Sequence, residues 1–304
     1  MTRPVTRVAC VGECMIELSL PESGAPRVGF AGDTLNTAVY LKRSAPGIEV
    51  AYVTALGTDT LSERMIAFFE GEGLATGLIE RRPDRVPGLY AISTDANGER
   101  SFTYWRDQAA ARTLFTPPAT VAPEALVGFD LVYLSGITLA ILPAPALAAL
   151  AGALAGVRAR GGLVAFDGNY RPRLWPGHAA AREAMAGFWA LADIGLPSVD
   201  DEAMLWGDAD AAAVRARLMA AGVRRGAVKR GAEGPLPIGW EGPLPGFPPA
   251  ARVVDTTAAG DSFNGGYLAA LLAGAEPPAC LRAGHDLAAK VIGYPGAIIP
   301  AGAR

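Results

Sequence analysis

Cysteine and histidine are scarce in this 304-residue chain, and each scarcity excludes a chemistry. The three cysteines, Cys10, Cys14 and Cys280, are odd in number and form no CxxC pair, so neither a disulfide framework nor a zinc knuckle is expected. Free thiols of this kind are usually buried as small apolar groups. The two histidines, His178 and His285, lack metal-ligand spacing, and no metal ligand is assigned. Charge of one sign is also missing. The formal net charge is -3 with no block of like charges, which argues against a nucleic-acid partner. No long apolar h-region with a cleavage site follows the start, so no signal peptide is expected. The Ala/Leu-rich stretch 139–157 is broken by Pro143 and Pro145 and followed by Arg158 and Arg160, which suits a surface helix better than a membrane span. The reading is cytoplasmic, with no membrane partner.

What is present is apolar material in short alternating segments. About half the chain is hydrophobic (51%), enough for a sizeable core. The runs 5–11, 50–56, 131–134, 163–166 and 226–229 are short and rich in branched residues. Between them lie the amphipathic stretches 34–42, 61–72, 145–160, 179–191 and 211–221. Strand–helix alternation predicts an α/β fold, a mostly parallel sheet covered by helices on both faces. Segments 13–31 and 86–106 break the rhythm with polar–apolar alternation and no helix, and predict a small β-sheet lid inserted in one domain spanning 1–304. In the second, Asn97-Gly98 is a hairpin signal. Residues 235–249, rich in Pro and Gly, read as a loop with one short strand.

The most informative run is Asp255-Thr256-Thr257-Ala258-Ala259-Gly260-Asp261-Ser262-Phe263, a polar turn opening a helix of buried type. Small residues at 258–260 let the backbone approach a ligand, and amides at a helix N-terminus attract an anion. A carboxylate beside an anion hole suits a base that takes a proton from an attacking hydroxyl. Alternatively, Asp261 only caps the helix.

This run resembles the DTxGAGDxF signature of the ribokinase-like (PfkB) carbohydrate kinases, with Ala258 where glycine is usual. That departure matters only if position 258 needs positive φ. Gly32-Asp33-Thr34-Leu35-Asn36 is similar to the family's substrate-binding turn, and Lys229-Arg230-Gly231-Ala232-Glu233-Gly234 to its nucleotide loop. The resemblance implies a ribokinase-like α/β/α sandwich with a β-lid and a kinase using ATP and Mg²⁺, a monovalent cation being a further option. It makes Asp261 the general base and the amides of Ala258, Ala259 and Gly260 the anion hole. It places Asn169, Ser198, Lys229, Gly231, Ala232, Gly234 and His285 along ATP, although a solvated helix position is equally open to His285. Ser198 with Asp201 or Glu202 is a partial counterpart of the family's NxxE pattern.

Within the family the chain is similar to the 2-keto-3-deoxygluconate kinases, through Gly12-Glu13-Cys14-Met15-Ile16-Glu17-Leu18, Tyr104-Trp105-Arg106 and Asp167-Gly168-Asn169-Tyr170-Arg171. A sugar acid requires cations, and Arg106 and Arg171 would bind its carboxylate, each charge-assisted bond contributing about 1.5–3 kcal/mol. Otherwise Arg106 lies on a solvated strand face, and Arg171 meets helix carbonyls or phosphate. Tyr90 and Tyr104 lie seven residues either side of Asn97, a spacing that puts both on one face, either for the sugar or as a cross-strand pair. Gly32, Asp33 and Asn36 form the opposite wall, Asp33 doubling as a helix N-cap. A neutral-sugar kinase and a non-catalytic sensor are the alternatives. Unpaired lid edges suggest a homodimer through the lid.

Overall fold

The computed structural model describes residues 5–20, 25–94 and 100–303. In chain order the elements are β1 (Arg7–Val11), β2 (Met15–Leu20), β3 (Arg27–Ala31), α1 (Asp33–Ser44), β4 (Glu49–Leu56), α2 (Thr60–Gly71), β5 (Ile79–Arg81), β6 (Gly88–Thr94) and β7 (Arg100–Trp105). There follow β8 (Leu131–Ser135), α3 (Gly136–Ile141), α4 (Ala144–Ala159), β9 (Leu163–Asp167), α5 (His178–Leu191), β10 (Ile194–Gly195) and α6 (Val199–Trp206). The last are α7 (Ala211–Ala221), β11 (Arg225–Val228), β12 (Leu236–Ile238), α8 (Ala259–Leu272) and α9 (Pro277–Val291).

Alternation of side chains along the strands builds two cores on one sheet. Ala9 and Val11 of β1 face one way with Val53, Val132 and Leu134, and meet Leu150 of α4, Met185 of α5 and Val214 of α7. Val8 and Cys10 face the other way with Tyr52 and Tyr133, and meet Leu35 of α1, Phe69 of α2, Leu268 of α8 and Leu281 of α9. A strand covered on both faces must be apolar on both, which is why these runs are nearly continuous in the sequence. The strand order is β12-β11-β10-β9-β8-β1-β4-β5, parallel except for β12, which runs antiparallel to β11. The order reverses between β1 and β8, and the carboxyl ends of strands at such a point form a ligand crevice.

A second sheet, β3-β2-β6-β7, lies over that crevice. Its strands fall within the two segments expected to form a lid. The hairpin of β6 and β7 pairs Tyr90 with Tyr104, as the symmetry about residue 97 predicts. The Asn97-Gly98 turn itself lies outside the described residues. Cys10, Cys14 and Cys280 are free and buried. Among the described residues no helix is long and apolar enough to cross a membrane.

Candidate active site

Helices α1 and α8 both begin at the wall of a cavity of about 790 Å³, and their first turns carry Asp33 and Asp261 into it. They approach closely because α8 presents Gly265, where a Cβ would stand 2.7 Å from Tyr40 Cβ and 2.9 Å from Leu41 N. The contact lets Asn36 Nδ2 donate to Asp261 Oδ2 at 2.8 Å, and Thr37 Oγ1 donate to the Asp261 carbonyl at 3.2 Å. Burial, then the like charge of Asp33, pushes the Asp261 carboxyl up to about 7, partly opposed by Asn36 and Lys229. Burial likewise raises the Asp33 carboxyl, against hydrogen bonds from Ser135 and Asn169. The Asn169 bond, Nδ2 to Asp33 Oδ2, measures 2.7 Å.

The turn before α8 is braced by Asp255, which accepts from Thr257 N at 2.9 Å and Gly296 N at 2.6 Å. Ala258 follows in the left-handed region (φ 60, ψ 18). Glycine adopts this conformation freely, whereas alanine here carries strain of about 1 kcal/mol, so the departure from the usual glycine does matter. Ala259 N donates to Thr256 O at 3.1 Å, so this amide is committed to the turn. Of the three amides expected to form an anion hole, this leaves those of Ala258 and Gly260 as candidates, both residues lying in the cavity wall.

Gly32, Asp33, Asn36, Tyr90, Tyr104, Asn169, Arg171, Ser198, Lys229, Gly231, Ala232, Ala259, Asp261 and His285 all line this one cavity. Four expectations change. Asp33 is the first residue of α1 and Gly32 the N-cap, so Asp33 does not hold the N-cap place; its carboxylate lines the cavity and also accepts from the Thr34 amide. Arg106 is buried in an ion pair with buried Glu13, and its side chain is not part of the cavity wall. Gly234 is also outside the wall; it turns at φ 77 against Phe247, where a Cβ would come within 2.8 Å. Tyr90 lines the wall, but its hydroxyl donates to Glu17. Phe102 stacks on Tyr104 at 6.5 Å between centroids and extends the aromatic face of the lid.

Ser198 caps α6, its Oγ accepting from Asp201 N at 3.3 Å. Asp201 lines the cavity and pairs with Arg171 Nη1 at 3.0 Å, whereas Glu202 is buried behind Gly168 and pairs with Arg217 at 2.7 Å. Of the two acids open to the NxxE reading, Asp201 faces the site. Among the described residues no three His, Cys, Asp or Glu side chains converge on a metal position. Mg²⁺ takes few protein carboxylates and keeps waters, and Asp167 and Asp201 in the wall are donors of the right hardness.

Sequence reading assigned no role to Asp167 or Asn264. Asp167 ends β9 and binds Lys229 Nζ at 2.6 Å and Asn264 Nδ2 at 2.7 Å. The available signal was position: a lone acid closing a buried strand run at the carboxyl edge of a parallel sheet.

The profile of the pfkB family carbohydrate kinases matches residues 5–304. A 2-dehydro-3-deoxygluconokinase from Dickeya dadantii is 48% identical over 301 residues, covering 96% of each chain. Among solved structures, a PfkB protein from Polaromonas sp. JS666 superposes with a TM-score of 0.82 at 26% identity, over 94% of this chain and 95% of that one. An aminoimidazole riboside kinase from Salmonella enterica, complexed with aminoimidazole riboside and an ATP analogue, superposes with a TM-score of 0.77 at 25% identity, over 96% and 95%. Full-length profile, close relatives and fold agree with the cavity built on the turn 255–261: the chain belongs to the pfkB family of carbohydrate kinases.

Proposed function

We propose that the chain transfers the γ-phosphoryl group of ATP to the 6-hydroxyl of 2-dehydro-3-deoxy-D-gluconate. The observation that carries this is Asp261: a carboxylate at the start of α8, in the cavity wall, raised to about 7. A base of that strength is about half ionised at neutral pH and accepts a proton readily. Asn36 occupies Oδ2, which leaves Oδ1 for the sugar hydroxyl. The oxygen–phosphorus bond forms as the bond from Pγ to the β–γ bridging oxygen breaks; ADP leaves and the hydroxyl proton passes to Asp261. The amides of Ala258 and Gly260, with the α8 dipole, face the phosphoryl oxygens. Mg²⁺, when bound through Asp167 and Asp201, supplies positive charge to the phosphates.

The relative from Dickeya dadantii supports the acid sugar by name. With Arg106 paired to Glu13 and outside the cavity wall, the substrate carboxylate is assigned to Arg171, which lines the cavity together with Tyr104 and holds Asp201 through Nη1. The adenine end is assigned to the apolar wall of Pro249, Ala250, Val253, Ala288 and Ile292, with His285 held there by Pro248 O at 2.7 Å. The lid edges β3 and β7, where Val28 and Trp105 are exposed, favour the expected homodimer. The setting proposed is the cytoplasm, where ATP is supplied.

ADP release across sugar acids and neutral sugars tests the reading. The expected result is a kcat/KM for 2-dehydro-3-deoxygluconate about a hundredfold or more above fructose and ribose. Equal turnover of the neutral sugars overturns the acid specificity, and ligand binding without ADP release overturns the kinase.

A further inference from the structure

Lys229 closes the strand run of β11, and its surroundings are unusual for a lysine in a nucleotide loop. Its Nζ donates to Asp167 Oδ2 at 2.6 Å and to Asn264 Oδ1 at 3.2 Å. Asn264 donates from Nδ2 to the same Asp167 oxygen at 2.7 Å and to Tyr133 OH at 3.0 Å. Asn264 and Asp167 are buried, so this bracket is fixed by elements packed from both sides. An ammonium has three donors, and these two bonds use two of them.

The bracket places the ammonium at the start of α8. A Cβ on Gly260 would stand 3.4 Å from Lys229 Nζ, so glycine at this position leaves the space between the amide and the ammonium open. Lys229 also lines the cavity with carboxylates near it: Asp167 in direct contact, and Asp201 and Asp261 within electrostatic reach. An unrestrained lysine would be drawn to Asp261 and would block the base. Asp167 and Asn264 hold it aside, next to the amide expected to face the phosphoryl group.

On the reading of the site as a kinase, we propose that Lys229 is a catalytic residue whose ammonium binds a non-bridging oxygen of the phosphoryl group in flight. Asp167 and Asn264 are positioning residues that aim it there and away from Asp261. The charge on those oxygens peaks during transfer, so the contact strengthens in the transition state and acts on kcat more than on nucleotide affinity.

The test compares Lys229→Met with wild type in kcat, in KM for ATP, and in the tightening of ADP binding by aluminium fluoride with sugar present. Expected are a kcat lower by about 10²-fold, a KM for ATP changed less than about tenfold, and loss of the aluminium fluoride effect. Asn264→Ser is expected to lower kcat about tenfold with KM for ATP unchanged, a split that a purely structural role does not give. Because Lys229→Met strands a buried Asp167, Lys229→Gln, which keeps a neutral donor to that carboxylate, is run alongside, with folding checked by melting and the same losses expected. Aluminium fluoride tightening retained in either folded variant, or an unchanged kcat with KM raised tenfold, overturns the proposal. A wild type that phosphorylates only neutral sugars overturns the acid specificity alone, and the Lys229 comparison then uses that acceptor. A wild type that phosphorylates nothing overturns both.

Discussion

Asp261 concentrates what this site asks of one residue. Its carboxyl is raised to about 7 by burial and by Asp33. A base works only when ionised, so kcat/KM is expected to fall tenfold per pH unit below about pH 7 and to level off above it. The sign for stability is opposite. Ionisation is disfavoured in the folded chain, so Asp261 destabilises the fold progressively between pH 4 and 7 and most above 7. Asp261→Asn should therefore abolish turnover while raising the melting temperature at pH 8 and leaving it unchanged near pH 4. An acid limb centred at pH 4–5 in the rate profile would refute the assignment. Much at this scale was legible: the run 255–263 pointed to Asp261, and the spacing about residue 97 gave the pairing of Tyr90 with Tyr104. The left-handed turn at Ala258 was legible only as a question, since a sequence shows a missing glycine but not the φ that makes it matter. The ion pair of Arg106 with Glu13 spans 93 residues, and no local pattern announces such a contact.

At the scale of elements, the crossing of α1 and α8 aligns the Asn36 and Asp261 side chains. Gly265 sits where the two backbones nearly touch, with the Thr37 carbonyl 3.1 Å from its would-be Cβ. Gly265→Ala is expected to force the helices apart, destabilise the chain by about 1–3 kcal/mol, and lower kcat by stretching the 2.8 Å bond from Asn36 to Asp261. Urea unfolding and steady-state kinetics on the same sample check both, and a variant as stable and active as wild type would show that the crossing tolerates slack. Short branched runs announced β1, β4, β8, β9 and β11, and amphipathic stretches announced α1, α2, α4, α5 and α7. The two-residue β10 and three-residue β5 were invisible, because so short a stretch has no period and owes its form to its neighbours. The short α3, capped by Ser135, was hidden in the Ala/Leu-rich stretch that also holds α4.

For the whole molecule, the join between lid and body centres on Glu13. It lies in the connection from β1 to β2, pairs with Arg106 just past β7, and is crowded by Gly88 at the start of β6 and Gly32 at the end of the lid. Arg106→Ala leaves a buried carboxylate without its partner and is expected to cost about 3–5 kcal/mol. The double variant Glu13→Gln/Arg106→Met should recover most of that loss in denaturant unfolding; a loss below about 1 kcal/mol in the single variant would show that the pair does not fasten the lid. The cavity beneath has a consequence of its own. Asp33, Asp167, Asp200, Asp201 and Asp261 outnumber Arg171, Lys229 and Arg230 along its wall. A bare polyphosphate meets net repulsion there, so on the proposed reaction the chain is expected to discriminate by the chelation state of its phosphate donor, with the supply of complexed nucleotide, as distinct from total nucleotide, setting how fast it is fed.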